Sequence, residues 1–312
     1  MQALKNFLVR QGPDSALVRA ALHLQARSRG FRLAFGGGAI RIQNGQREVV
    51  LNARDYIEVP FTMANFNAYF DAFVPVVRGE RERLDFSLPA RHTYRRHNVA
   101  FEFPCIPEED MLETFTYWYV PQPGDVVWDV GAHAGATTYF FSQMVGTEGM
   151  VYAFEPDEVN CGYLMRNLEA HQVSNVRVIK KALAGHTGQV SFHMDGTMAA
   201  GIPDYLTYTG RGRVVPVPAL AFADACAELD NVPSYVKMDI EGAEIAVIES
   251  AIPFLKEHAV HFAIESDHRV GGRYTFHDLD RLFPAAGYEV CSSGKFGQMF
   301  TWARKAEATP TR

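Results

Sequence analysis

The chain has 312 residues, 47% of them hydrophobic and 21% charged, with a formal net charge of −6. That balance is ordinary for a globular protein of one large or two modest domains, and it excludes a broadly basic nucleic-acid-binding surface. No apolar run approaches the roughly 18 to 20 residues of a membrane-spanning helix.

Residues 14–30, DSALVRAALHLQARSRG, carry the first helix signal. Asp14 or Ser15 can cap it, Leu17, Ala21, Leu22 and Leu24 make an apolar stripe, and Gly30 can end it. Arg10 and Arg19 interrupt the apolar core that a secretory leader needs, so a cytoplasmic location is expected. Short alternating runs follow, and NGQ at 44–46 between them reads as a hairpin turn. Phe61 to Val77 is aromatic-rich and reads as helix, with its aromatic stripe as core. RHTYRRH, Arg91 to His97, is a local basic run and reads as a solvated loop. Residues 1–115 thus form an α+β accessory region without a chemical motif.

From Val126 the texture changes. Apolar, strand-like runs occur at 126–130, 150–155, 175–179, 234–240 and 260–266, and helical patterns lie between several of them. Near-continuous apolar strands alternating with helices predict a parallel, doubly wound sheet covered on both faces. Ligands bind such sheets beyond the C-terminal strand ends, where the strand order reverses. Asp129, Glu155, Asp239 and Glu265 fall at or near those ends. The four cysteines, Cys105, Cys161, Cys226 and Cys291, are widely spaced and form no CxxC, which points to reduced thiols. Residues 305–312 read as a frayed tail, and Ala303 and Arg304 as its beginning.

The turn after the first of these strands is DVGAHAG. Its G-x-H-x-G, Gly131 to Gly135, departs from the G-x-G-x-x-G of a dinucleotide site, whose middle glycine lets the backbone approach a pyrophosphate. With His133 and Ala134 in the middle, the turn suits a ligand without phosphates, such as S-adenosylmethionine. Backbone N–H groups at the helix start can take its carboxylate, and Asp129 can accept from its ammonium. Glu155, ending the second strand in AFEP, can accept from ribose hydroxyls. The fourth strand ends in YVKMDIEGAE, where Asp239, Glu241 and Glu244 crowd the turn. Such acids suit a transferase, for the donor amine or the acceptor's proton; as helix-start acids they also suit capping.

In order and spacing, DVGAHAG, AFEPDEVNCGYLMRNL, KKALAG, VPVPALAFADAC and VKMDIEGAE resemble the FkbM family of S-adenosylmethionine-dependent methyltransferases. The likeness covers roughly Pro121 to Val290, and the family's usual first motif has Asn where this chain has His133. The resemblance implies a class I methyltransferase fold, a Rossmann-like seven-stranded sheet whose last strand is antiparallel, over residues 116–304. GYEVCSS and GQMFTWARK are its expected last two strands. It implies donor contacts from Asp129, Gly131, His133, Gly135, Glu155, Pro156, Ala182 and Asp239. The catalytic candidates are Asp239, Glu241, His133 and His268. No metal is expected, although Asp239, Glu265, Asp267 and His268 offer hard ligands. The implied reaction is O-methylation of a hydroxyl on a sugar, glycan or polyketide-like product, with N-methylation of a peptide amide as the alternative. A nicotinamide-dependent oxidoreductase and a non-catalytic binding module are the alternatives of other classes. The expected partner is thus a small-molecule, glycan or peptide acceptor, with no nucleic acid and no membrane span. The oligomeric state, homodimer included, stays open.

Overall fold

A computed structural model describes residues 15–107, 110–198, 200–205 and 212–306. The chain divides into two compact units, residues 1–110 and 111–312.

In the first unit, helix α1 (Ala16–Ser28) precedes strands β1 (Arg32–Gly36), β2 (Ala39–Asn44) and β3 (Arg47–Asn52). Its buried stripe is Val18, Leu22 and Ala26. Leu17 and Leu24, expected on that stripe, are 63% and 73% exposed. The true stripe follows the i, i+4, i+8 line, and the Leu17–Leu24 line runs down another face. Gly45 and Gln46 turn β2 back onto β3, with Asn44 opposite Arg47. The aromatic segment is two short helices, α2 (Val59–Ala64) and α3 (Phe66–Ala72), broken at Asn65. From it Phe66, Tyr69, Phe70 and Phe73 enter the core. It continues as strand β4 (Val76–Arg78), not helix, on β5 (Arg81–Phe86). These five strands form one sheet in the order β1-β2-β3-β5-β4. The basic run is only partly loop: Arg91 to Tyr94 belong to β6 (Ala90–Tyr94), which pairs with β7 (Val99–Phe103), and Arg95 to His97 lie in the turn between them. Burial pushes the imidazole of His92 there down to about 4.

The second unit opens with a short helix, α4 (Leu112–Phe115). Then come β8 (Val126–Val130), α5 (Ala136–Val145), β9 (Met150–Phe154), α6 (Glu158–Ala170) and β10 (Val176–Ile179). A small sheet, β11 (Ala182–Leu183), β12 (Gly188–Met194) and β13 (Arg213–Leu220), precedes α7 (Phe222–Leu229). The main alternation resumes with β14 (Tyr235–Met238), α8 (Glu244–Glu257) and β15 (His261–Glu265). A two-stranded hairpin, β16 (Arg269–Val270) and β17 (Arg273–Tyr274), leads to α9 (Phe276–Ala285), β18 (Tyr288–Ser293) and β19 (Phe300–Lys305).

The main sheet has seven strands in the order β10-β9-β8-β14-β15-β19-β18. Ladders from β10 to β15 are parallel, and β19 is antiparallel to both of its neighbours. The order reverses between β8 and β14, which places the switch point at their C-terminal ends. Alternation along the strands sends side chains to two cores. Trp128, Val130, Val236 and Met238 face Phe222, Val247, Ile248 and Leu279. Val127 and Tyr235 face Phe115, Phe141 and Val145.

Ala303 to Lys305, read from sequence as the start of a tail, are strand. They pair with β18, and Lys305 Nζ donates to the carbonyls of Leu255, Lys256 and Ala286. The rest of the expected tail, from 307 on, lies outside the described residues. Among the described residues, no helix is long and apolar enough to cross a membrane. All four cysteines are free thiols.

Trp302 is fully buried in β19, and its Nε1 donates to the Thr114 carbonyl at 2.9 Å. Trp302→Ala is expected to cost about 3–5 kcal/mol in urea unfolding. A loss under about 1 kcal/mol would mean that β19 is not integral to the fold.

Candidate functional site

The site is built on the ends of β8, β9, β14 and β15. Gly131 leaves β8 at φ +80°, and a Cβ there would collide with the backbone carbonyl oxygen of Asp239 after β14. Gly135, at φ +83°, starts α5, and its missing Cβ leaves room for Leu164 of α6. These glycines let two loops and two helices approach closely. The N-cap of α5 is Gly135, which has no side chain to cap the helix.

Beneath the turn lies a buried ion pair. Asp129 and Lys237 are direct neighbours across the β8–β14 ladder, so both point to the same face. They are 0% and 3% exposed, and Lys237 Nζ stands 3.3 Å from Asp129 Oδ1. The same ammonium donates to the Gly131 carbonyl at 2.6 Å, and Thr138 Oγ1 donates to Asp129 Oδ2 at 2.6 Å. Burial pushes the Asp129 carboxyl up, and Lys237 pulls against it. Lys237 was not singled out by sequence reasoning. Its signal was a lone cation in an apolar strand, flanked by the residues read as chemistry.

Glu155 is also buried and ties two turns together. The His133 N–H donates to its Oε2 at 2.8 Å and the Asp157 N–H to its Oε1 at 2.9 Å. Burial pushes its carboxyl up to about 8. Pro156 follows at half-burial; Ala182 is buried in β11, opposite Ala219. His133 adopts a positive φ of 47°. Burial, reinforced by Lys237, pushes its imidazole down to about 3, so it is neutral near pH 7.

After β14 a second group converges. Asp239, Glu241 and Glu244 surround His268 from the end of β15. His268 Nε2 is 3.8 Å from Asp239 Oδ1 and 3.7 Å from Glu241 Oε2. His268 Nδ1 is 3.1 Å from Glu244 Oε1. Burial alone would lower the His268 pKa, but the carboxylates of Glu244, Glu241 and Asp239 outweigh it and hold the imidazole well above its usual range. Glu244 is fully buried, and its Oε1 also accepts from the N–H groups of Ile240 and Gly242. It holds the turn. Glu241 is more open, its side chain 28% exposed, on a left-handed backbone at φ +57°. Such a conformation costs of order 1–3 kcal/mol for a residue with a side chain and recurs at functional sites. Gly242 next to it, at φ +105°, is closely covered by Tyr205 and Val270. Asp239, Glu265 and His268 offer ligand atoms within 4.8 Å of one another, a grouping that can hold a divalent cation.

The structure thus brings Asp239, Glu241 and His268 together at one strand end and His133 and Glu155 together at another. It takes Asp129 out of reach of solvent.

The family model described as "Methyltransferase FkbM domain" matches residues 129–290, just over half of the chain. No curated protein matches the chain. Among solved structures, the chain is similar to a methyltransferase FkbM from Methylobacillus flagellatus, at 18% identity and a TM-score of 0.45. That match covers 62% of this chain and 47% of the other, so the chain spans about half of that protein's length. An Aquifex aeolicus SAM-dependent methyltransferase is 16% identical over 63% of this chain and 93% of its own, with a TM-score of 0.38. A precorrin-6y C5,15-methyltransferase from Geobacter metallireducens is 14% identical over 64% and 90%, with a TM-score of 0.41.

The Glu155 carboxyl has a testable consequence. With its folded pKa near 8 and an ordinary value of 4.5, it keeps a proton in the folded chain that the unfolded chain releases. The folded state binds more protons in that window, so stability falls as pH rises across it. Glu155→Gln is expected to flatten the decline in melting temperature between about pH 5 and about pH 8. Equal slopes for the two proteins would show that Glu155 titrates normally.

Proposed function

The chain belongs to the FkbM methyltransferase family, and from that premise we propose that it transfers a methyl group from S-adenosylmethionine to a hydroxyl of a sugar, glycan or polyketide-like product. Membership sets aside the oxidoreductase and the binding module. The observation that carries the hydroxyl reading is the open pair of carboxylates, Asp239 and Glu241, grouped with His268 at the end of the central strand.

The chain's residues fit the donor. The N-terminus of α5, whose cap residue is a glycine, suits a carboxylate. The Asp239 and Glu241 carboxylates suit its cationic groups, and Glu155 suits the ribose hydroxyls. When bound, the donor supplies an activated methyl group on a sulfonium. The protein's remaining work is to orient the acceptor, keep water away and remove the hydroxyl proton. His268, held in its charged form by three carboxylates, has no free site for that proton. The proton therefore passes to a carboxylate oxygen of Asp239 or Glu241, and the imidazolium offsets the negative charge around them. Glu244, tied to Ile240, Gly242 and His268, fixes the geometry. His133, neutral and half-buried, belongs to the donor turn and not to the proton path.

Incubation with S-adenosylmethionine and candidate acceptors, followed by mass spectrometry, is expected to show a gain of one methylene on a hydroxyl. A gain on an amide nitrogen would favour the peptide alternative. Asp239→Asn and Glu241→Gln are each expected to slow single turnover by about two to four orders of magnitude, with little change in melting temperature. Glu244→Gln is expected to lower the melting temperature as well. If Asp239→Asn and Glu241→Gln lose stability but keep the wild-type single-turnover rate, the acids are caps and the proton assignment fails.

A further inference from the structure

Asp129, the acid expected to take the donor's ammonium, is 0% exposed; its Oδ2 accepts from Thr138, and its Oδ1, without a hydrogen bond, stands 3.3 Å from the Lys237 ammonium. A charged amine arriving from the C-terminal edge of the sheet would have to displace an internal ammonium to reach it. Lys237, 3% exposed, is equally closed to a ligand.

We propose that Lys237 and Asp129 do not touch the donor and instead position it, as one buried unit that fixes the Gly131–His133 turn and, through it, Glu155. This rests on the donor reading above. The linkage is continuous. Lys237 Nζ donates to the Gly131 carbonyl at 2.6 Å and reaches the Val130 carbonyl at 3.4 Å. The N–H groups of Gly131 and Ala132 both donate to the Phe154 carbonyl, at 3.0 and 3.1 Å. The next N–H, of His133, donates to Glu155 Oε2 at 2.8 Å. One ammonium therefore sets the carbonyl on the inner side of the turn, and the turn's amides set the end of β9 and its acid. Asp129 supplies the counter-charge that lets an ammonium sit there at all, because an unpaired buried charge is strongly destabilising. Thr138, in the first turn of α5, ties the pair to the helix whose N-terminus faces the donor.

The rival is direct contact of Asp129 with the ammonium, and two ligands separate them. S-adenosylhomocysteine carries the amino-acid portion; 5′-methylthioadenosine carries the nucleoside without it. Direct contact concerns only the former. A positioning unit that acts through the turn and Glu155 governs both.

The test is calorimetric titration of both ligands into wild type, Asp129→Asn/Lys237→Met and Thr138→Ala, with melting curves alongside. The double variant removes both charges together and leaves no buried ion unpaired. It is expected to bind both ligands more weakly, by a similar factor of about ten or more. Thr138→Ala, which keeps both charges, is expected to weaken both by a smaller common factor, and it carries the test if the double variant does not fold. Loss of S-adenosylhomocysteine alone would overturn the proposal in favour of direct contact. Unchanged affinity for both in a folded variant with a lowered melting point would overturn it in favour of a purely structural pair. Wild type binding neither ligand would overturn the donor reading itself, and the proposal with it.

Discussion

A buried ammonium facing a buried carboxylate across two adjacent parallel strands is the constraint around which the second unit is arranged. Neither Asp129 nor Lys237 could be there alone, since the cost of an isolated charge in the core exceeds what a small unit can spare. Together they occupy the one place where the strand order reverses. The backbone leaving β8 must turn at once, and the ammonium supplies a donor for the carbonyl that the turn leaves inside. Gly131 then passes against the Asp239 carbonyl with no room for a side chain. The loops after β8 and β14 are therefore mutually fixed, and the chemistry of one strand end is carried to the other.

The two loops are strained in the same way. His133 and Glu241 each adopt a left-handed backbone without being glycine. One follows the first strand of the main sheet and the other the fourth, and these strands are direct neighbours. Their side chains differ in state. His133 is half-buried and neutral, whereas Glu241 is the most open of the acids around His268.

Much of the sheet was legible in the sequence because buried parallel strands are short apolar runs, and VVWDV or YVKM cannot easily be anything else. Period alone was less reliable at the surface. The first helix was found, but its buried face only in part: Leu22 is buried as expected, whereas Leu17 and Leu24 are exposed and Val18 is buried, because all are equally apolar and only packing chooses between them. The first half of the basic run is strand because the aromatic cluster around His92 and Tyr94 outweighs the charges beside them. At the site, the acids after β14 were legible as a crowd, and Glu244, one helical turn beyond the others, as the most structural of them, which its burial and its bonds to the turn bear out. That Glu244 is a buried anchor and Glu241 an open carboxylate depends on which way each side chain leaves the turn. The ion pair of Asp129 was not legible, because its partner Lys237 is one strand away in space but far away in sequence.

The position of β19 has a consequence for how the chain is made. Synthesis delivers β15 and then β18, yet these strands share no ladder; each pairs with β19, which comes after both. Until residues 300–305 emerge, the growing sheet ends at β15, and β18 has no place in it. Both expose unpaired backbone that another nascent copy could pair with. Closing that edge thus rests on β19, which Trp302 anchors by donating its indole N–H to the Thr114 carbonyl.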